Sequence, residues 1–299
     1  MRPPARDPGR PGPAWAAGAL LLAALLALTR GGGVSPSPAG AAADSGGAAR
    51  AGAAPAAADS ARAPDDPGGG PAIAAVPWRI GEYFQFSIDW SGINAGSALM
   101  QVQNWQWIDG RRTWRIVSKT ESNSFVSKIY KVRDRAETAI DAESLFTRRF
   151  EKHLREGGYK HDSVVQFDQE NRKALYHDGS SFDVPARVHD VLSAFYYVRT
   201  RPLPDGGGFT IPAHDNRKSY DLEVKVLRRE RIEVSAGTFD CVVVEPILKS
   251  EGIFKSKGRI LVWLTDDARR MPVKVTSKVP IGSISVSLTD YRLAFERKS

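Results

Sequence analysis

The chain has 299 residues, 42 Lys and Arg against 34 Asp and Glu, a formal net charge of +8 and one cysteine. One cysteine excludes an intrachain disulfide framework and any zinc site built from several thiolates, and 9% aromatic content argues against wholesale disorder. The length predicts one domain plus appendages, since domains commonly run to about 100–200 residues and all-β ones to about 250.

Arg2, Arg6 and Arg10 precede a charge-free apolar run from Trp15 to Leu28. A basic flank followed by an apolar core of about 7–15 residues is the layout of a secretory signal, whereas a spanning helix usually needs about 20. Residues 1–30 are therefore expected to be a signal peptide or an uncleaved signal-anchor. Both readings stay open, because Leu28-Thr29-Arg30-Gly31 lacks a small-x-small cleavage site and no such site lies close behind the apolar core. The absence of a cysteine after the run argues against a lipoprotein anchor. Residues 31–76, rich in Ala, Gly, Pro and Ser, bury too little apolar surface to offset chain entropy and are expected to form a disordered linker. Residues 77–299 are expected to be a single β-rich domain.

That domain keeps a mild basic surplus. In an exported protein, periplasmic or tethered to the inner membrane through residues 15–28, it points to anionic envelope material and away from nucleic acid.

From Glu82 to Trp90, Phe84, Phe86, Ile88 and Trp90 alternate with Gln85, Ser87 and Asp89, the pattern of a half-buried strand. A turn at Gly92–Gly96 leads to alternating Ala98, Met100 and Val102 and on to Trp105 and Trp107. Asp109-Gly110 then forms a hairpin turn into Thr113–Ser122. Strand-like runs continue at Val132–Ile140, Thr147–Arg155, His161–Phe167 and Lys173–Tyr176. The second half adds Ser219–Leu227, Glu230–Val234, Thr238–Leu248, Gly258–Leu264, Pro272–Val279 and Ser283–Phe295. Short connections imply antiparallel neighbours. One segment breaks the period: Val191, Leu192, Phe195 and Val198 fall on a helical face, with Asp190 as N-cap and Pro202 beyond the end. The predicted fold is mainly β, a curved antiparallel sheet or half-barrel of about ten strands with one helix across its concave face.

No constellation of residues names a reaction. The five histidines are dispersed, and the pair His153 and His161 around Gly157-Gly158 is weak evidence for a metal. Cys241 sits in a β-forming run and reads as a buried core residue. Asp266 and Asp267, with Glu245, make a hydrolase conceivable, but spacing alone predicts no geometry. Gly206-Gly207-Gly208 lacks a following Lys-Ser/Thr and reads as a flexible turn. No catalytic residue, cofactor or metal is expected. The stronger signals are aromatic and basic: Trp105 and Trp107 share the face of Gln101 and Gln103, where they could line a ligand surface or simply be buried by twist. Lys255, Lys257 and Arg259 place three cations on one side of a strand, to meet an anionic headgroup or to protect an edge.

Several motifs occur together and in order: Asp89-Trp90-Ser91-Gly92-Ile93-Asn94-Ala95-Gly96, Phe150-Glu151 with Arg155-Glu156-Gly157, Asp190-Val191-Leu192-Ser193-Ala194-Phe195-Tyr196-Tyr197 and Trp263-Leu264-Thr265-Asp266-Asp267. In these the chain resembles a bacterial exported-protein family, domain of unknown function 3108, over roughly residues 77–295. The resemblance implies an envelope location in a didermal bacterium and a largely β fold, and it implies no reaction. The leading expectation is a non-enzymatic β-domain binding an amphipathic, lipid-like or anionic envelope molecule in a deep apolar groove. Its ligand residues would be Trp105, Trp107, Phe195, Lys255, Lys257 and Arg259, with the helix gating or filling the groove. The alternatives are an adaptor that pairs a long free strand edge with another envelope protein, and a cell-wall hydrolase.

Overall fold

In the computed structural model, residues 74–249, 259–278 and 282–293 are described. The expected signal segment at 1–30, and the linker up to residue 73, lie outside them. Packing begins ahead of residue 77: the Ala74 amide donates to Ala142 O at 2.8 Å, and Val76 and Trp78 are buried.

The first half of the chain forms β1 (Tyr83–Trp90), β2 (Ile93–Ile108), β3 (Arg111–Ser122), β4 (Arg133–Asp141), β5 (Thr147–Glu156), β6 (Tyr159–Asp168), β7 (Lys173–Tyr176) and β8 (Ser181–Asp183). After helix α1 (Val191–Val198) come β9 (Gly208–Asp215), β10 (Lys218–Val234), β11 (Gly237–Lys249), β12 (Ile260–Thr265), β13 (Pro272–Lys278) and β14 (Ser283–Arg292). All fourteen strands belong to one sheet, in the order β8-β7-β6-β5-β4-β3-β2-β1-β14-β13-β12-β11-β10-β9. Every neighbouring pair is consecutive in sequence except β1 and β14, which pair antiparallel from Tyr83↔Arg292 to Trp90↔Ile284. The molecule is thus two meanders zipped together along that ladder.

Helix α1 connects β8 to β9, the two edges of the sheet, and so must cross its concave side. Val191, Leu192, Ala194, Phe195, Tyr196 and Val198 are all buried, as expected of a helix that is apolar all round. The Asp190 side chain caps it, its Oδ1 accepting from the amides of Leu192 at 2.8 Å and Ser193 at 3.0 Å. Its Oδ2 accepts from Thr138 at 2.6 Å and Thr147 at 2.7 Å, which fixes the helix start to β4 and β5. At the other end the buried Arg199 guanidinium holds Glu82 through two bonds of 2.8 and 2.9 Å.

The ladder stays open between β8 and β9, and one backbone bridge and several side chains span the gap. His189 forms a parallel bridge with Ala213 of β9, Tyr176 Oη lies 2.9 Å from His214 Nε2, and Lys152 donates to Asp215 at 2.7 Å. The sheet therefore curls further than the expected half-barrel, around a core that α1 fills.

The strand count of fourteen corrects the expected ten or so. β8 has three residues, too few to show a period, and Gly208 opens β9 although the triple glycine reads as a turn. A Cβ on Gly208 would lie 2.7 Å from Val224 O, so the strand approach itself requires glycine there. β10 runs unbroken through the expected gap at Leu227–Glu230, absorbing it as an irregularity between Val226 and Arg228.

Candidate functional site: an apolar pocket at one rim

Because consecutive strands are antiparallel, the β1–β2 turn, the β3–β4 connection and the β5–β6 turn all emerge at the same end of the sheet. The β13–β14 turn joins them through the pairing of β1 with β14. Between the β1–β2 turn and the β3–β4 connection lies a cavity of about 150 Å³. Ile88 and Val132 are buried at its base, Trp90 and Tyr130 form its walls, and Ile93, Phe125 and Ile129 form its lip. The lip residues are 61%, 66% and 69% exposed.

The local sequence explains why apolar side chains face water here. Polar residues of the connection are consumed by its own backbone: Asn123 Oδ1 accepts from the Val126 amide at 2.9 Å, and Ser122 Oγ accepts from the Val132 amide at 2.9 Å. Asn123 Nδ2 also donates to Asn94 O at 2.7 Å, tying the connection to the β1–β2 turn. Phe125, Val126 and Ile129, around the short 3₁₀ turn Val126–Lys128, are left to project. Tyr130 packs on Gly157, where a Cβ would come within 2.6 Å of the ring, so that wall depends on a glycine from the β5–β6 turn. Apart from the indole of Trp90 and the hydroxyl of Tyr130, the polar lining residues are Thr120, Glu121 and Ser122 at the C-terminal end of β3, with Glu121 the one carboxylate. A dry apolar cavity of this size holds one small ring or the end of one hydrocarbon chain.

Of the sequence-predicted ligand residues, the described ones, Trp105, Trp107, Phe195 and Arg259, do not line the pocket, and only the two tryptophans lie together. Trp105 and Trp107 lie at the far end of β2. The register irregularity between Val102 and Asn104 advances the alternation by one, so Trp105 turns to the core side and packs on Trp114 with ring centroids 3.6 Å apart. Trp107, one repeat beyond the core, is 57% exposed, and the Arg112 guanidinium lies over both rings at 5.5 and 5.6 Å. The expectation that both rings stand on the Gln101 face is thereby corrected. Phe195 is buried in α1 and does not reach the pocket. Arg259 is held by Glu245 through bonds of 2.7 and 2.9 Å, and Lys255 and Lys257 lie outside the described residues.

Among the described residues, the other titratable groups that the sequence singled out are held in ion pairs or buried. Hydrogen bonds from Arg270 and then Arg229 hold Asp266 below the ordinary carboxylate range, while Asp267 accepts from Thr265 and Arg269. Cys241 is buried, and that burial pushes its thiol up to about 12. His153 is bound to Asp162 at 2.8 Å, and among the described residues no group of three His, Cys, Asp or Glu is placed to hold a metal ion.

A buried polar seam that sequence reasoning missed runs along the closure. Lys152, 2% exposed, donates to Asp215 and, at 2.9 Å, to Asn216. His189 and His214 are pushed down by burial to about 3 and about 4. The available signal was Lys152 standing between Phe150 and Leu154 on the inward face of β5. Buried apart from Asn216, this seam ties the two edges of the sheet together.

A family model described as protein of unknown function, DUF3108, matches residues 85–289. No curated protein matches the chain. Among solved structures the chain is similar to a β-barrel-like protein of domain of unknown function DUF1849 from Brucella abortus, at 8% identity and a TM-score of 0.50, covering 73% of this chain and 99% of that one. That likeness shows the fold alone. A candidate lipoprotein from Parabacteroides distasonis, 13% identical with TM-score 0.34, covers 73% of this chain and 97% of its own. A candidate exported protein with a YmcC-like fold from Bacteroides fragilis, 12% identical with TM-score 0.33, covers 74% of this chain and all of its own. These two are too distant in geometry to carry an argument.

Proposed function

The chain belongs to the family of unknown function DUF3108, and from that premise we propose that it is an exported envelope β-domain that binds one hydrocarbon chain of an amphipathic envelope molecule in the rim pocket. The observation that carries this reading is the pocket itself: an apolar cavity with a lip of three large, exposed apolar side chains, Ile93, Phe125 and Ile129. Concave apolar surface with few polar groups is the usual character of a small-molecule site. Among the described residues α1 fills the interior of the curled sheet, so the ligand is held at the rim by one tail and not engulfed. Export rests on the basic flank and apolar run of residues 2–28.

The adaptor reading has less support. Among the described residues the sheet's outermost strands offer little, since β8 has three residues and β9 is engaged at Ala213 by His189, and the longer open stretch, Leu227–Val234 of β10 beyond β9, carries alternating charges and no apolar docking surface.

Quenching by a brominated fatty acid tests the proposal, because bromine in the pocket would touch Trp90. The expected result is saturable quenching of tryptophan emission that Trp90→Phe removes and Ile129→Asp weakens by about tenfold or more, the loss expected from one large apolar contact. Quenching that is non-saturable, or that survives both substitutions, would overturn it.

A further inference from the structure

Four exposed large apolar side chains gather at the pocket end of the sheet from three separate connections: Ile93, Phe125, Ile129 and, at 48% exposure, Tyr159. The same end carries Lys128, Lys131, Arg133 and Lys160, all exposed. Among the described residues none of these four cations is in an ion pair with a carboxylate. Elsewhere the arginines are largely neutralised, as in Arg111 with Glu143, Arg229 with Asp266, Arg231 with Asp240 and Arg259 with Glu245. The acidic groups nearby do not cancel the excess. Glu121 faces Arg133 across the β3–β4 register, Asp162 is already bound by His153 and Arg155, Asp89 is hydrogen-bonded to Ser87 and Asn94, and Asp134 and Glu156 are buried away from the surface.

We infer that this rim is a membrane-docking face that seats on an anionic lipid bilayer, with Ile93, Phe125, Ile129 and Tyr159 entering the interface and the four cations meeting lipid phosphates. Apolar and aromatic tips ringed by Lys and Arg are the chemistry of interfacial binding, each cation near an anionic surface strengthening association about fivefold. A protein partner fits less well, because lysine is depleted at protein interfaces and these tips stand on separate turns, not on one continuous face. Docking does not require the pocket to be occupied. It does place the pocket mouth against the bilayer, so that a hydrocarbon chain would enter it without crossing water.

The test uses the full chain with an environment-sensitive fluorophore on Ser124→Cys, an exposed position beside Phe125. The native thiol, buried in Cys241, does not compete for the label. A second label on Asp183→Cys, whose native side chain is 87% exposed far from this rim, reports the contact that the apolar run of residues 15–28 would produce by itself. On vesicles of phosphatidylcholine with a minority of phosphatidylglycerol, the Ser124→Cys label should shift to the blue and brighten, and the Asp183→Cys label should not. Pure phosphatidylcholine should give a weaker response. The double variant Lys128→Glu/Lys131→Glu, with circular dichroism unchanged, should lower the apparent lipid affinity of the rim by about 25-fold or more. A silent rim label, equal responses from both labels, or indifference to the double charge reversal would overturn the inference. Fatty-acid quenching measured without vesicles separates this outcome from failure of the pocket reading.

Discussion

Arg199 and Glu82 illustrate how much of this molecule depends on single buried polar contacts. Both side chains are removed from water, and each is the other's counter-charge. A buried ion pair adds little net stability over an apolar substitute, but removing one partner strands the other. Arg199→Met is therefore expected to cost about 3–5 kcal/mol in urea unfolding, well above the effect of the exposed Arg231→Met. The two buried histidines predict a pH dependence. Each takes up a proton in the unfolded chain near the ordinary 6.5, but in the folded protein only at about 4 for His214 and about 3 for His189. Stability from this source is fully present above about pH 6.5 and is lost as pH falls, down to about pH 4 for His214 and about pH 3 for His189. Asp190, whose carboxyl burial pushes up, works in the opposite direction and opposes part of that loss. Replacing His214 by Gln should flatten the decline between about pH 7.5 and pH 5 by about 2 kcal/mol, read from unfolding midpoints. The sequence shows these histidines only as scattered turn-side residues, because their burial comes from contacts between β7, β9 and the approach to α1. The face assigned to Trp105 differs for a local reason: a one-residue irregularity in β2 inverts every later inside-outside assignment, and alternation counting has no means of seeing it.

At the scale of elements, what could be read was what carries a short-range signature. α1 was legible because Asp190 supplies a cap and the apolar spacing is helical, and Asp109-Gly110 was legible as a tight turn, with both residues at positive φ. β8 and β9 were not, one for its length and the other for its opening glycine. The cap is also a test. Asp190→Ala removes two amide partners and leaves Thr138 and Thr147 without their acceptor, so a loss of about 2–4 kcal/mol is expected by denaturant titration, more than an exposed cap would give. The pocket wall depends on another element. Gly157→Ala, at φ +57° and against the Tyr130 ring, should displace that ring and weaken fatty-acid binding severalfold while costing about 1–2 kcal/mol of stability. Unchanged binding in a folded Gly157→Ala protein would show that Tyr130 does not shape the site.

At the scale of the whole molecule, the class of fold could be read and the site could not. Alternation along the chain gives strands, but the pairing of Tyr83 with Arg292 joins positions that no periodicity links. That pairing, with the crossing of α1 from edge to edge, turns two meanders into one curled sheet with a filled interior. With the interior filled, the proposed site lies not in the expected concave groove but at the rim, where connections distant in sequence meet. The segment Asn123–Val132 has neither strand nor helix period, and its apolar residues acquire meaning only beside Trp90 and Ile93. The claim that this rim holds the tail of an amphipathic envelope molecule is tested most directly by native mass spectrometry of the full chain, expressed in a didermal host and purified gently. The account predicts one stoichiometric lipid-like molecule on the protein, absent from a folded Phe125→Asp/Ile129→Asp variant. An empty protein, or a ligand retained equally by the variant, would contradict it.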